Sequence, residues 1–164
     1  MNPAARNPFT GDPDRHEIWE ILMRRDFEAF VAADWKMTEP DFLAEEFQGI
    51  DGGKQSDPDR WHLRFADLAT YRDEWLVQAA DFRKLELQGT SKLDFLFAAA
   101  SLRDIEITGT RAMAHKKFQG RATSTLGESL VLAWQTLYLL RKANARWKIT
   151  GFVGYMPNPT PLKP

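Results

Sequence analysis

The sequence predicts an α+β domain in which helices pack against one antiparallel sheet. Three observations favour this fold class: apolar residues recur at helical spacing in the N-terminal half, residues 103–118 alternate between polar and apolar, and residues 129–156 contain two long runs rich in β-branched, leucine and aromatic residues. Since the helical patterns precede the long strand patterns, the helices are expected to gather against a single sheet.

The first long helix is predicted from Asp12 to Ala33. Asp12 followed by Pro13 is typical of a helix start, because aspartate caps free N–H groups and proline has no N–H to satisfy. Asp26 lies in the middle of the apolar stripe of this helix, which contains Trp19, Leu22, Met23, Phe27 and Phe30. A buried carboxylate is costly unless it is paired. Asp26 is therefore either half of a structural ion pair or a proton-transfer group in an apolar pocket.

The next segment contains a short helix over residues 41–45 and a short strand over residues 47–51, which ends at Asp51 before Gly52-Gly53. A second long helix is predicted from Asp57 to about Asp81, with Trp61, Phe65, Leu68, Trp75 and Ala79 on its apolar stripe. Arg72 falls on the same stripe. We therefore predict that Arg72 is the salt-bridge partner of Asp26 if the pair is structural.

A capping pattern at Ser91 predicts a further helix that runs through Ala100. Two hairpins complete the predicted sheet. In the first hairpin, residues 103–108 and 111–118 are joined by a turn at Gly109-Thr110, which places Asp104 opposite His115. A carboxylate partner would raise the pKa of His115. An exposed cross-strand pair is the alternative interpretation of these two residues.

The second hairpin, residues 129–156, is predicted to turn at Ala143-Asn144. That register places Phe152 on one face with Gln135, and Trp134 and Tyr138 on the other face. Both faces are largely apolar, which predicts that both are covered.

Composition limits the functional classes. The 164-residue chain has no cysteine and a net charge of −1, so neither thiolate metal sites nor electrostatic binding to nucleic acid or an anionic membrane is expected. No apolar stretch is long enough for a membrane span or a signal peptide, so a cytoplasmic location is expected. No nucleotide-binding or hydrolase motif is present, and we expect no cofactor and no metal. Proline-rich residues 1–11 and 157–164 are predicted to be loose tails around one domain, residues 12–156.

Four stretches carry a family resemblance: Tyr71-Arg72-Asp73-Glu74-Trp75-Leu76, Ala114-His115-Lys116-Lys117-Phe118, Trp134-Gln135-Thr136-Leu137-Tyr138, and residues 147–155. With the predicted order of elements, they resemble the NTF2-like superfamily, in particular its SnoaL-like bacterial members. The resemblance implies a curved sheet wrapped around helices into a cone with one apolar pocket, a small hydrophobic ligand, and a homodimer formed through the outer face of the sheet. Members include isomerases, dehydratases, cyclases and non-catalytic binding proteins, so the fold does not determine the reaction.

The resemblance also implies candidate catalytic residues. Asp51 matches the aspartate base that ketosteroid isomerase-like enzymes place at the end of the first strand, although a turn residue is the simpler interpretation. Asp26 stands where those enzymes have a tyrosine donor, and the carboxylic acid of their late strand has no counterpart between Leu130 and Tyr155. SnoaL-like cyclases combine an aspartate with a histidine, and His115 would be that histidine.

The predicted ligand pocket contains Trp61, Arg72, Trp134, Gln135 and Tyr138. Together with the candidate aspartates, these residues suggest an isomerase, dehydratase or cyclase that uses aspartate acid–base chemistry on a small apolar molecule. A non-catalytic ligand-binding or dimerisation module is the alternative.

Overall fold

A computed structural model describes residues 2 to 158 of the chain, and it confirms the α+β class with helices packed against one sheet. The helices are α1 (Pro13–Trp19), a π-helical turn (Glu20–Arg25), α2 (Asp26–Ala32), α3 (Leu68–Arg83) and α4 (Lys92–Ala99). The strands are β1 (Gln48–Asp51), β2 (His62–Phe65), β3 (Ala100–Thr108), β4 (Arg111–Thr123), β5 (Ser129–Ala143) and β6 (Arg146–Met156).

The six strands form one sheet in the order β2-β1-β6-β5-β4-β3. Neighbouring strands are antiparallel except β1 and β6, which run parallel. The predicted β3–β4 register is confirmed, since Asp104 pairs with His115. The two strands extend beyond the predicted ranges 103–108 and 111–118 because β3 follows α4 directly and β4 continues along the long strand β5.

The first predicted helix is confirmed, with an irregularity in its middle. The Asp12 carboxylate accepts a hydrogen bond from the backbone N–H of Arg15 at 3.0 Å, and Pro13 is the first helical residue. The π-helical turn between α1 and α2 then shifts the rotational position of every residue that follows it, Asp26 included.

The predicted start of the second helix is wrong. After Asp57 the chain makes only one short turn, and the helix starts at Leu68, where the Asp67 carboxylate accepts a hydrogen bond from the backbone N–H of Thr70 at 2.8 Å. The intervening residues form β2, which pairs with β1 and buries Phe65 to 1% exposure. Pairing at the sheet edge has therefore overridden a local helix-start signal, which is a weak determinant.

The β5–β6 hairpin is confirmed, and it turns at Asn144 and Ala145, one residue later than predicted. Both residues have positive φ values, 52° and 62°, as in the tight turns that join twisted strands. Thr150 is then an extra residue in β6, between neighbouring pairs of the ladder. This bulge reverses the alternation, so Phe152 lies on the inner face beside Tyr138 and not on the predicted face.

The sequence predicts a loose tail over residues 1–11, and Asn7 within it makes specific contacts. The Asn7 side chain is buried and donates hydrogen bonds to the His16 carbonyl at 3.1 Å and to Glu20 Oε1 at 3.0 Å. At the other end, the Asn158 side chain donates to the Phe118 carbonyl at 3.0 Å. Most of the predicted proline-rich tail, residues 159–164, lies outside the described residues.

Candidate functional site

A cavity of about 460 Å³ lies between the helices and the inner face of the sheet. This volume is in the range of small-molecule sites, about 300–1,000 Å³. The wall is mostly apolar and aromatic, with a few polar groups among the rings. Its lining residues are Asp26, Phe27, Phe30, Tyr71, Trp75, Gln78, Asp81, Phe82, Leu85, Leu96, Lys116, Phe118, Leu130, Leu132, Trp134, Thr136, Tyr138, Phe152 and Tyr155.

The central polar feature of the wall is an ion pair between Asp26 of α2 and Lys116 of β4. Lys116 Nζ lies 2.8 Å from Asp26 Oδ2 and also donates a hydrogen bond to the backbone carbonyl of Leu22, which belongs to the π-helical turn. The same nitrogen lies 4.3 Å from the centre of the Phe27 ring and 5.3 Å from that of Phe118. The ammonium group is therefore surrounded by two hydrogen-bond acceptors and two aromatic rings.

Lys116 was not identified from the sequence because it precedes Lys117, and adjacent lysines are typical of an exposed hairpin. The signal was nevertheless present: alternation along β4 places Ala112, Ala114, Lys116 and Phe118 on one face, and all four are buried. A lysine on the apolar face of a strand needs a partner, and Asp26 provides it.

Burial changes the protonation equilibrium of Lys116. Because the side chain is only 1% exposed, desolvation lowers its pKa, and the negative charge of Asp26 opposes part of that decrease. Among residues 2–158, hydrogen bonds reach only the Oδ2 atom of Asp26. The other carboxylate oxygen is free to interact with a molecule in the cavity.

The predicted Asp26–Arg72 salt bridge is wrong. Arg72 is 41% exposed and pairs with its neighbour Asp73 at 3.0 Å. The cavity side of α3 instead presents residues three and four positions apart, Tyr71, Trp75, Gln78 and Phe82. Because successive helical residues are about 100° apart, Arg72 lies to the side of this stripe.

The hydroxyls of Tyr71 and Tyr138 also belong to the polar part of the wall. Burial raises the pKa of Tyr71 and of Tyr138 well above the usual value of 10.0, and the nearby charge of Asp26 contributes to both increases. Within the described part of the chain, neither hydroxyl has a hydrogen-bond partner. Both groups therefore remain neutral and can donate a hydrogen bond to a bound oxygen.

We expect the folded protein to show little tyrosinate absorbance at pH 10. The chain has only three tyrosines, and burial also raises the pKa of the third, Tyr155. A raised pKa in the folded state contributes stability that is complete below the unfolded-state pKa near 10 and is lost as pH rises through the folded-state pKa. Ultraviolet difference titration in buffer and in urea tests this, and half-ionised tyrosines at pH 10 in the folded protein would contradict it.

Comparison with known proteins bears on the fold. No family model matches the sequence, and no curated protein matches it either. Among solved structures, an NTF2-like superfamily protein from Salmonella enterica serovar Typhimurium is 17% identical, with a TM-score of 0.55 over 89% of this chain and 92% of that chain. An NTF2-like protein of unknown function from Shewanella baltica is 16% identical, with a TM-score of 0.53 over 88% and 94%. The chain has the NTF2-like fold. A conserved protein from Planctomyces limnophilus, 13% identical, aligns with a TM-score of 0.56 over 86% and 94%.

The NTF2-like cavity does not include Asp51. Its carboxylate accepts hydrogen bonds from the backbone N–H of Gly53 at 2.8 Å and from Arg64 at 3.0 Å. Arg64 also reaches Glu74 at 3.2 Å. Asp51 thus occupies the turn position that was the simpler interpretation, and both of its oxygens are engaged, Oδ1 by the backbone of Gly53 and Oδ2 by Arg64.

His115 lies on the outer face of the sheet, because it alternates with the inward-facing Lys116. Asp104 acts to raise the pKa of His115, as expected, but the overall shift is downward, because partial burial is the larger effect and the charge of Lys117 lowers the pKa further. Asp104 also forms a salt bridge with Lys117 at 3.3 Å.

The structure brings Asp26, Trp134 and Tyr138 together in the cavity wall, and it places the other predicted pocket residues elsewhere. Gln135 is on the outer face and donates a hydrogen bond to the Pro157 carbonyl at 2.8 Å. Trp61 donates to the Gln55 carbonyl at 2.8 Å, near the sheet edge.

Over residues 2–158, no helix is long and apolar enough to cross a membrane, and no group of three or more acidic or histidine side chains is arranged to bind a metal.

Proposed function

We propose that this protein binds a small, largely apolar molecule carrying one oxygen function in the NTF2-like cavity, and that Asp26 transfers a proton to or from it. The observation that supports this function is the cavity wall itself. It combines aromatic surface with the Asp26 carboxylate, the Lys116 ammonium group and neutral tyrosine hydroxyls. Apolar surface provides binding free energy, and a few polar groups orient the ligand.

The reaction class that fits these groups is isomerisation or dehydration next to a carbonyl. The unbonded oxygen of Asp26 is a candidate base for a carbon-bound proton. Tyr138 or Tyr71, held neutral by burial, would donate a hydrogen bond to the ligand oxygen as negative charge develops on it. Lys116 fixes the orientation of the carboxylate through its hydrogen bond to Oδ2.

Proton transfer can be measured directly. In deuterated buffer, NMR would follow deuterium uptake at the α-carbon of cyclic ketones that quench tryptophan fluorescence, since Trp75 and Trp134 line the cavity. Asp26→Asn is expected to bind such a ketone and to lose at least 100-fold of the exchange rate, as general acid–base catalysis typically contributes. The matched control is Asp104→Asn on the outer face, which should exchange normally. Exchange at the wild-type rate in Asp26→Asn would refute the role of Asp26.

A non-catalytic binding protein is the second candidate function. It is favoured by one observation, namely that the strongest interaction of Asp26 is with Lys116 within the protein. Ketones that quench fluorescence but exchange no faster than in buffer would support this function over proton transfer.

We also propose a homodimer through the outer face of the sheet. The outward side chains of β5 include Val131 and Leu139, 46% and 47% exposed, and half-buried Leu137 pairs there with Val153. A second copy of the sheet would cover these exposed apolar side chains and remove their surface from water.

Leu139→Lys is expected to convert the dimer into a monomer in light scattering after size-exclusion chromatography, because a lysine would be buried in the contact without a partner. The matched control is Leu126→Lys, in the turn between β4 and β5, where the leucine is already 86% exposed. A monomeric wild-type protein would show that this face is not a dimer contact.

A further inference from the structure

We propose that Lys116 is a nucleophilic amine that forms an imine with ligands containing an aldehyde or ketone group. This inference rests on the proposed function for the cavity, and it specifies the class of molecule that the cavity takes. It also assigns to Lys116 a covalent role beyond its salt bridge with Asp26.

The position of Nζ is the first argument. Lys116 lines the cavity and lies among apolar groups, with the rings of Phe27 and Phe118 within 4.3 and 5.3 Å. Surface lysines are protonated at neutral pH and react slowly. A lysine in an apolar pocket loses part of its hydration, which favours the neutral, nucleophilic amine.

The second argument is the proton acceptor beside the amine. Asp26 Oδ2 lies 2.8 Å from Nζ, so the ammonium proton can move to the carboxylate along an existing hydrogen bond. This transfer leaves a neutral amine that can attack a carbonyl group bound in the cavity. The Leu22 carbonyl continues to orient the amine by accepting a hydrogen bond.

The covalent step balances within the site. The Lys116 lone pair forms a C–N bond to the carbonyl carbon while the carbonyl π electrons move to oxygen, which takes from Asp26 the proton that the ammonium group gave up. The nitrogen, positively charged after the attack, then passes a second proton through Asp26 to the same oxygen, and its restored lone pair expels water. The net change is one ammonium group and one carbonyl giving one iminium group and one water, so no oxidant or reductant is required.

The iminium also gives Asp26 a clearer role. A positively charged C=N group withdraws electrons from the adjacent carbon, so its protons are more acidic than those of the free ketone. Asp26, beside Nζ, is placed to remove such a proton. The pair thus combines an electron sink with a base, and it would accelerate the same α-proton exchange that the proposed function predicts.

Reductive trapping tests this inference with 2-naphthaldehyde as the probe and sodium cyanoborohydride at neutral pH. We expect one reduced adduct per chain by intact mass, located on Lys116 by peptide mapping of the wild-type protein. Lys117→Met, which removes the adjacent lysine on the outer face (41% exposed), should label like the wild type. Lys116→Met/Asp26→Asn, which removes both charges, should lose the adduct while still binding the probe by tryptophan fluorescence.

Four outcomes would overturn the imine. Adducts spread over exposed lysines, or labelling that persists in the double variant, would show that Lys116 has no special reactivity. Quenching of tryptophan fluorescence without an adduct would leave the cavity as a binding site and refute only the covalent step. If neither 2-naphthaldehyde nor the cyclic ketones bind, the proposed function fails together with the imine.

Discussion

Asp26→Asn is expected to lower the free energy of unfolding by about 3–5 kcal/mol, because it leaves a buried lysine without its counter-charge. Lys116 is 1% exposed, so little solvent reaches the ammonium group that the carboxylate neutralises. The remaining Leu22 carbonyl accepts one hydrogen bond but supplies no negative charge. Urea denaturation followed by circular dichroism measures the effect.

The double variant Asp26→Asn/Lys116→Met separates the cost of an unpaired charge from the value of the pair itself. We expect it to recover most of the lost stability, because a methionine of similar length fills the same space and needs no partner. Lys116→Met alone should cost less than Asp26→Asn, since Asp26 is 28% exposed and retains access to water. An Asp26→Asn protein within about 1 kcal/mol of wild type would show that the pair is not held in a desolvated site.

Gly151→Ala is expected to destabilise the protein by about 1–3 kcal/mol through overpacking. Strand β1 runs parallel to β6 at this point, with Gln48 as the partner of Gly151. A Cβ on residue 151 would lie 2.4 Å from the Gln48 carbonyl oxygen, a backbone atom that can move only if the strand moves. The expected result is a lower urea midpoint, together with a shift of β1 away from the sheet.

Gly11→Ala is the matched control, because an added Cβ there meets nothing within 4 Å. A shift of β1 would also reach the cavity, since Gly49 of β1 packs against the ring of Phe152, which lines the wall. We therefore expect Gly151→Ala to weaken ketone binding as well. Equal urea midpoints for the two variants would show that β1 can move at no cost.

Local patterns predicted most of the fold, and the errors fall where distant residues decide. The Asp12 cap and the β3–β4 turn depend on side chains a few positions apart, so the sequence was sufficient to predict both. The inward position of Phe152 follows from a bulge at Thr150, which no alternation pattern reveals. The strand over residues 62–65 exists because β1 offers it a partner, a contact between segments more than ten residues apart.

The candidate site also combines a feature that a local pattern predicted with contacts that depend on distant residues. The unusual position of Asp26 was visible in the sequence, because one carboxylate on an apolar helical stripe requires an explanation. Its partner was misassigned to Arg72, since a π-helical turn and a later helix start changed which side chains face each other. Lys116 could have been found by giving strand alternation more weight than the impression of a charged surface pair.

The π-helical turn at Glu20–Arg25 sets the direction in which Asp26 points. A wide turn of this kind corresponds to a one-residue insertion into an ordinary α-helix, and such insertions are frequent at functional sites. A variant with one residue deleted from this turn would carry Asp26 rotated by about 100° around the helix axis. Its carboxylate would then no longer face β4. The acid–base pair is thus a property that a single inserted codon can create or abolish, while the helix and the sheet around it keep their places.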